Sequence, residues 1–334
     1  MLPLVTDRHV DAFTLAGTAA EVTAHILELR RAGIDSIIIR PLSAEGASIE
    51  ETIEAFGRDI WPAVRAADGR GRRVSFEVHQ PESVAEAVRL AGEFGESGRF
   101  LAGGTDLIIQ INRKRRAPHH LIALGGIGGL SEVEIGDNAI TLGALVTHKV
   151  IERHTAFQGP LGALAEAARV VGGHQVRNVA TIGGNVVNAS PAADLLPPLL
   201  ALDAEVALTG RAGTRRLPLP QFLRGPGETD RDDDELLVSL SFARPSPRTA
   251  TAFIKAGRRR AMEISVVCVA ASVTLDPKGI CRAARIALGA VGPTAIRALE
   301  AEKALAGRDP TPAVLREAGR LAAASCAPID DVRA

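Results

Sequence analysis

Aromatic side chains are scarce in this sequence, whose 334 residues include no tyrosine, one tryptophan and nine phenylalanines. Proteins that bind single-stranded nucleic acid stack its bases on such rings, so the scarcity argues against that class of ligand. Net charge is absent as well, because 39 basic residues balance 39 acidic ones. Without an excess of positive charge, neither nucleic acid nor an anionic membrane surface is expected as the main partner.

Cysteines and long apolar runs are also few. The three cysteines, Cys268, Cys281 and Cys326, are scattered and odd in number, which fits neither a disulfide framework nor the spacing of a metal or iron–sulfur site. Apolar stretches such as residues 186–208 are interrupted by Asp194 and by prolines, so none reaches the ~20 residues of a membrane span. The sequence therefore predicts a cytoplasmic protein with no membrane span, no signal peptide and no bound metal.

The first part of the chain is predicted to form a separate unit. Residues 1–67 predict two helices around one buried strand at 36–39, and the polar stretch 68–73 predicts a linker. Two capping patterns mark the helix starts, each a hydroxyl residue followed three positions later by glutamate: Thr18 with Glu21, and Ser48 with Glu51.

From residue 74 onward, strands and helices follow one another without regular alternation. Strands are predicted at 74–78, 99–102, 236–242, 252–255, 265–275 and 282–289. Helices are predicted after a third capping pattern, Ser83 with Glu86, and at 162–171, 294–306 and 311–325. Such an order predicts an α+β fold.

Two glycine pairs are the most informative features of the sequence. The first follows a predicted strand, in Leu101-Ala102-Gly103-Gly104-Thr105-Asp106-Leu107, and leads into an apolar helix. Glycine lets a backbone approach a ligand closely, and the free N–H groups of such a turn, with the Thr105 hydroxyl, can donate to phosphate oxygens. For one such pair, a plain strand-to-helix turn is the alternative interpretation.

A second pair occurs in Ala180-Thr181-Ile182-Gly183-Gly184-Asn185. Two turns that converge on one diphosphate could replace its hydration with backbone dipoles, even in a neutral protein. In the segment that follows, Ser190 and Pro191 predict the cap and first residue of a helix, with Asp194 in its first turn. Asp194 would complement the helix dipole, accept from ligand hydroxyls, or do both. Neither turn matches G-x-G-x-x-G and no P-loop motif occurs, so neither a Rossmann unit nor a nucleotide hydrolase is predicted.

Five motifs in fixed order carry a family resemblance: Phe76-x-x-x-x-Pro81 with Ser83-Val84-x-Glu86-Ala87, the first glycine turn, Arg177-Asn178 with the second glycine turn, Ser190-Pro191-Ala192-Ala193-Asp194, and Phe253-x-Lys255. Together they resemble the FAD-binding medium subunit of molybdenum hydroxylases, the family of xanthine dehydrogenase, aldehyde oxidoreductase and carbon monoxide dehydrogenase. The resemblance covers about residues 73–334.

The resemblance implies a two-part N-terminal FAD-binding domain of the PCMH type at 74–225 and an α+β C-terminal domain at 226–334, truncated at its end relative to the family. FAD would lie between the two. The residues implied to bind it are Ala102, Gly103, Gly104, Thr105, Asp106 and Leu107 in the first turn, Thr181, Gly183, Gly184 and Asn185 in the second, Ala193 and Asp194 at the sugar-phosphate chain, Leu237 against the flavin, and Lys255 near the cofactor.

The resemblance also implies a function and partners in a heterotrimer. A large subunit with a molybdenum cofactor would oxidise the organic substrate, and a small subunit with two-iron two-sulfur clusters would relay the electrons. The FAD of this chain would pass them to an external acceptor. A subunit that binds and orients FAD needs no side-chain nucleophile or base, so no catalytic residue is predicted.

Residues 1–67 lie outside this resemblance. Their segments at 10–18, 32–35 and 56–62 are similar to the C-terminal end of luciferase-like monooxygenases. Those enzymes are (β/α)₈ barrels, which one strand with its helices cannot close. The segment is therefore interpreted as an orphan. Alternatives for the whole chain are a stand-alone FAD-dependent oxidase and a mis-joined fusion with a vestigial monooxygenase fragment.

Histidines offer the remaining candidates for a metal or a general base. His119, His120, His148 and His174 have no carboxylate or cysteine neighbours at ligand spacing, so structural roles are predicted for them. The stretch that begins at His174 and ends at Arg177 is expected to position the second glycine turn.

Overall fold

Side-chain caps begin the first two helices of the N-terminal unit. The structure, a computed structural model, describes residues 17–32, 48–67, 76–259 and 262–329, and the chain divides into two units, Met1–Arg73 and Val74–Ala334. In the first unit the helices are α1 (Ala19–Arg31), α2 (Ile49–Ala55) and α3 (Trp61–Ala67), with a π-helical turn, Phe56–Ile60, between the last two. Both predicted capping boxes are present, at Thr18 and at Ser48.

The apolar spacing of the first unit gives it a small core. Val22 and Ile26 of α1 and Val64 of α3 are buried, and Phe56 and Ile60 pack against them. The strand predicted at 36–39 lies outside the described residues.

The second unit begins with a three-stranded parallel sheet. Its elements are β1 (Glu77–His79), α4 (Val84–Phe94), β2 (Gly98–Leu101), α5 (Leu107–Asn112) and β3 (His120–Ala123), with strand order β1-β3-β2. Ser83 caps α4 by accepting from the Glu86 N–H at 3.2 Å, while the Glu86 carboxylate accepts from Glu82 rather than from Ser83. Because parallel strands share one direction, the turn after β2 lies at the carboxyl edge of this sheet.

A second, antiparallel sheet follows. The strands from here to residue 243 are β4 (Val133–Ile135), β5 (Ala139–Gly143), β6 (Glu205–Gly210), β7 (Gly213–Pro218), β8 (Leu223–Gly225), β9 (Glu228–Thr229) and β10 (Leu236–Ala243). Five of them form a sheet in the order β4-β5-β10-β6-β7, and β8 pairs with β9 in a hairpin. The helices are α6 (His148–Arg153), α7 (Gly162–Val170), α8 (His174–Val179), α9 (Ile182–Val187), α10 (Leu196–Ala201) and α11 (Leu219–Phe222).

The C-terminal part is a third sheet covered by helices. It contains β11 (Thr249–Ala256), β12 (Val267–Leu275), β13 (Cys281–Gly289), β14 (Ile296–Arg297), α12 (Leu299–Leu305) and α13 (Pro312–Ala324). The four strands pair antiparallel in chain order, and α12 packs on β13 and α13. These pairings, with the parallel sheet before them, confirm the α+β prediction.

One large core joins the second and third sheets. It combines Ile140 of β5 and Leu199 of α10 with Phe253 of β11 and Cys268 of β12. Cys268 is a deeply buried member of this core, since its side chain is 1% exposed. Among the described residues, no helix has both the length and the hydropathy needed to cross a bilayer.

Replacement of a core leucine tests this arrangement. Leu199 is 0% exposed and Leu299, at the start of α12, is 56% exposed. We expect Leu199→Ala to lower the free energy of unfolding by about 2–5 kcal/mol, because it removes buried methyl groups and leaves a cavity. The control Leu299→Ala should stay within about 0.5 kcal/mol of wild type. Urea denaturation measures both, and equal effects would contradict the core assignment.

Candidate flavin-binding site

The first glycine turn presents a row of unpartnered backbone donors. Between β2 and α5, Gly104 has a φ of +70°, a conformation that favours glycine. Within the part of the chain that the structure describes, the N–H groups of residues 103–107 have no hydrogen-bond acceptor, and neither has the Thr105 hydroxyl. None of these residues is buried. The turn therefore offers consecutive donors to a ligand from outside, as phosphate binding requires.

The second glycine pair is built differently. It lies in the first turn of the short helix α9, which Thr181 caps by accepting from the Gly184 N–H at 3.1 Å. The N–H groups of Ile182, Gly183 and Asn185 are also used, and their acceptors are the carbonyls of Val146, Ala144 and Thr181. The sequence predicts free amides here as well, but these amides are satisfied within the protein.

The second turn offers a ligand the exposed backbone of Gly184 and the side-chain amide of Asn185. Gly184 is exposed, so a ligand can lie against its backbone. The Oδ1 atom of Asn185 is buried and has no hydrogen-bond partner among the described residues. A buried acceptor without a donor fits a ligand hydroxyl or N–H group, since leaving it unpaired costs about 1–3 kcal/mol.

The two turns are in direct backbone contact. A Cβ atom on Gly103 would lie 2.0 Å from the carbonyl oxygen of Val179 and 3.0 Å from the Cα of Ala180. Likewise, a Cβ on Gly183 would lie 2.7 Å from the Ala144 carbonyl oxygen. Only glycine fits at either position, and the convergence predicted for the two turns is present in the fold. Together, the donors of the first turn and the acceptor of the second fit a diphosphate with neighbouring polar groups.

Arg177 holds the chain ahead of the second turn. Its guanidinium donates to Glu152 at 3.2 Å and to the carbonyls of Val171 and Gly172 at 3.3 Å, and it contacts Nδ1 of His174 at 3.1 Å. These bonds attach α8 to the segment that precedes it and to Glu152 of α6. Such bonds are expected if residues 174–177 position the second glycine turn, as the sequence predicts.

A cavity of about 520 Å³ adjoins the second turn. It is lined by Thr147, Lys149, Val150, Arg153, His154 and Asn178. Thr147 forms a β-bridge with Thr181, so the cavity lies beside the cap of α9. The ammonium of Lys149 in its wall pairs with Glu152 at 3.2 Å, so the cation that favours an anionic ligand there is that of Arg153.

The helix predicted at Ser190 and Pro191 is wrong. Pro191 lies in a turn that follows Ser190, and the helix α10 begins only at Leu196, with a proline in its first turn. The carboxylate of Asp194 instead accepts from Ser265 at 2.6 Å and from Lys255 at 2.7 Å. Hydrogen bonds from Lys255 of β11 and from Ser265, just before β12, thus stabilise the Asp194 carboxylate instead of the predicted helix dipole.

Lys255 and Asp194 form a buried ion pair. Their side chains are 5% and 7% exposed, and the Lys255 ammonium also donates to the carbonyls of Val170 and Glu263. Burial raises the pKa of the Asp194 carboxyl, although the hydrogen bonds from Lys255 and Ser265 oppose the shift. The structure therefore brings both predicted residues together, with their charges directed at each other; contact of either with the cofactor remains a prediction.

Ala193 and Leu237 are buried apolar residues of the predicted set. Ala193 is 5% exposed and Leu237 is 2% exposed, and both belong to the large core. The pairing of β10 with β6 shifts register between Leu237 and Ser239. The predicted contact of Leu237 with the flavin has no exposed side-chain surface to support it and remains a prediction.

The α+β fold and its two touching glycine turns are those of a protein that binds a phosphate-containing cofactor. Two family models match the chain: the FAD binding domain in molybdopterin dehydrogenase over residues 74–245, and the CO dehydrogenase flavoprotein C-terminal domain over residues 252–334. The chain belongs to the FAD-binding flavoprotein family of molybdopterin dehydrogenases.

Relatives agree with this assignment. The nicotinate dehydrogenase FAD-subunit of Eubacterium barkeri is 34% identical over 70% of this chain and 80% of its own length. The carbon monoxide dehydrogenase medium chain of Hydrogenophaga pseudoflava is 31% identical over 77% of this chain and 89% of its own. A solved carbon monoxide dehydrogenase from the same organism matches with a TM-score of 0.74 and 32% identity, over 78% of this chain and 90% of that one. The family resemblance seen in residues 73–334 is thereby confirmed, while the monooxygenase resemblance of residues 1–67 remains a prediction.

His148 has an environment that the sequence did not indicate. It is 1% exposed, its Nδ1 atom has no partner among the described residues, and its backbone N–H donates to Ala180, just ahead of the second turn. Burial, with a smaller effect of Arg177, lowers the pKa of His148 from 6.5 to about 4. The imidazole is therefore neutral at physiological pH.

This lowered pKa makes folding depend on pH. The unfolded chain takes up a proton near pH 6.5 and the folded chain only near pH 4, so the stability contributed by neutral His148 is present above pH 6.5 and is lost as the pH falls toward 4. We expect the free energy of unfolding to fall across that window by up to about 3 kcal/mol because of this residue. Urea denaturation at several pH values should show a shallower fall for His148→Leu than for wild type. The exposed control His119→Leu should keep the wild-type slope; an unchanged slope in His148→Leu would contradict the prediction.

Proposed function

We propose that this chain binds FAD across the two glycine turns and serves as the electron-transferring flavoprotein subunit of a molybdenum-containing dehydrogenase. The observation that carries the proposal is the row of unpartnered N–H groups at residues 103–107, held against the second turn by Gly103. Fixed amide dipoles can stabilise the negative charge of a diphosphate without cationic side chains. The membership of the chain in a family of FAD-binding domains identifies the diphosphate as that of FAD.

The contributions of individual residues follow from their geometry. Residues 102–107 bind the diphosphate through backbone donors and the Thr105 hydroxyl. Gly184 allows close approach, and Asn185 accepts from a polar group of the cofactor. Thr181 holds the second turn in shape, and Asp194 with Lys255 fixes the adjoining segment beside it. Bound FAD accepts electrons one at a time and releases them in pairs.

The domain boundaries proposed from the sequence are residues 74–225 and 226–334. Strand β10 lies beyond residue 225, yet it pairs with both β5 and β6 in the second sheet. The FAD binding domain model, which ends at residue 245, includes this strand, so β10 belongs with the sheet of the first domain although it lies beyond the boundary proposed from the sequence. The shared core links the two domains and would hold a cofactor bound between them in one orientation.

The proposed partners are a large subunit with a molybdenum cofactor and a small subunit with two-iron two-sulfur clusters, in a cytoplasmic heterotrimer. The names of relatives support a multi-subunit assembly: one is a "medium chain", and another is "subunit alpha" of the 6-hydroxypseudooxynicotine dehydrogenase complex of Paenarthrobacter nicotinovorans. A molybdenum cofactor is named for the related carbon monoxide dehydrogenase, although the solved form of that enzyme lacks the Mo-pyranopterin moiety of the cofactor. Substrate oxidation then takes place on another chain, and no catalytic residue is assigned to this one.

Affinity purification from native cells tests the subunit assignment. We expect the tagged chain to bring down both partners, identified by mass spectrometry and by molybdenum and iron analysis. Separated from them, the FAD-loaded chain should keep its flavin absorbance when mixed anaerobically with nicotinate, xanthine or carbon monoxide. Direct bleaching of the isolated chain by one of these compounds would instead show a stand-alone oxidase.

Substitution of Gly184 tests the binding site. An added Cβ would lie 3.0 Å from Oγ1 of Thr181 and would meet nothing else within 4 Å, so Gly184→Ala should fold with a small local adjustment. The methyl group would occupy the exposed surface where the cofactor approaches. We expect the dissociation constant for FAD to rise at least about tenfold, a cost of about 1.4 kcal/mol.

The matched control for this substitution is Gly128→Ala, whose Cβ would meet nothing within 4 Å. Fluorescence titration of the deflavinated proteins gives both constants, and circular dichroism verifies folding. Wild-type FAD affinity in Gly184→Ala would remove the second turn from the site.

A further inference from the structure

Two histidines and a glutamate converge on the paired strands β1 and β3 of the first sheet. Nε2 of His79 lies 3.2 Å from Nδ1 of His120. Oε2 of Glu77 lies 3.5 Å from the same His120 nitrogen and 3.8 Å from that of His79. The proposed flavin site uses none of these side chains. The sequence predicted no metal because His120 has no carboxylate at ligand spacing, but the parallel pairing of β1 with β3 places Glu77 directly opposite His120.

The spacing of these three atoms matches that of ligands around one metal ion. They form a triangle with edges of 3.2, 3.5 and 3.8 Å. A point equidistant from three such atoms lies about 2.0 Å from each, which is the length of a bond from Zn²⁺ to imidazole nitrogen or carboxylate oxygen. A small displacement of the ion toward a fourth ligand lengthens those bonds only slightly.

The surrounding structure holds the two imidazoles in place. The ring of Phe94, at the end of α4, stacks on His120 with centroids 4.0 Å apart and planes 14° from parallel, and it also contacts His79 at 4.6 Å. The histidine side chains are 26% and 24% exposed, whereas that of Glu77 is 75% exposed. Two ligands are thus oriented before binding, one can adjust, and solvent can supply a fourth.

We propose that Glu77, His79 and His120 form a binding site for a divalent transition-metal ion of the Zn²⁺ class, with water as the fourth ligand. Two imidazole nitrogens favour Zn²⁺, Cu²⁺ or Ni²⁺ over Ca²⁺ and Mg²⁺, which bind oxygen. The ion ties the edge strand β1, only three residues long, to the central strand β3.

This metal site is separate from the glycine turns. His120 pairs in register with Gly98 at the start of β2, three residue steps or about 10 Å along that strand from Leu101, after which the first turn begins. Glu77 and His79 lie on β1, which the central strand β3 separates from β2. Loss of the metal should therefore leave FAD binding unchanged.

Zinc titration of the FAD-loaded full chain, after removal of bound metal with a chelator, tests the proposal. Isothermal titration calorimetry should give one Zn²⁺ per chain, and His79→Gln, His120→Gln and Glu77→Gln should each weaken binding at least about tenfold. The control His119→Gln changes an exposed histidine one residue away and should bind as wild type. With Cu²⁺ as the probe, electron paramagnetic resonance should show two imidazole nitrogens in wild type and one in His79→Gln.

Two readouts keep these variants interpretable. Flavin content and circular dichroism show whether each variant is folded, and Glu77→Gln changes an exposed side chain to one of equal size. Zinc should also raise the melting temperature of wild type and not of His79→Gln, because a ligand that binds only the folded state stabilises it. Absence of zinc binding by wild type, or undiminished binding by folded His79→Gln and His120→Gln, would overturn the site and leave a hydrogen bond between two imidazoles.

Discussion

The approach of Gly103 to the backbone of Val179 and Ala180 is the constraint on which the candidate flavin site depends. A side chain at this position would overlap the Val179 carbonyl oxygen, which lies 2.0 Å from where its Cβ would be. Because glycine removes that conflict, the end of strand β2 rests directly on the segment that enters the second turn. The two turns then have different roles. The first keeps its N–H groups free, while the second uses its own internally and so keeps a fixed shape.

The buried pair of Lys255 and Asp194 extends this constraint to the C-terminal sheet. An ion pair out of water carries a desolvation cost that its attraction seldom exceeds, unless further hydrogen bonds satisfy both partners. Here Ser265 donates to Asp194, and two backbone carbonyls accept from Lys255. Strand β11 is thereby fixed to the segment that follows the second turn. The pair specifies how the N-terminal and C-terminal parts of the second unit, Val74–Ala334, meet, and their shared apolar core supplies the stability.

Local signals were readable from the sequence, and contacts between distant segments were not. Capping at Thr18, Ser48 and Ser83 depends on residues three positions apart, so the helix starts were predicted correctly. The state of the second turn's amides depends on carbonyls of Ala144 and Val146, which no local pattern reveals. Ser190 and Pro191 resemble a helix start, yet contacts of Asp194 with the third sheet set the path of the chain there. The meeting of His79 with His120 likewise requires the register of two parallel strands.

The balance of charge in this chain is compatible with a diphosphate site built from backbone N–H groups. A diphosphate bound by lysines and arginines would require an excess of cations around the site, and such an excess also attracts nucleic acids and anionic surfaces. Backbone N–H groups provide the complementary dipoles without any net charge, and a rigid turn orients them before the ligand arrives. Equal numbers of acidic and basic residues are therefore compatible with tight binding of an anionic cofactor. They leave the outer surface free to be selected for contacts with partner subunits.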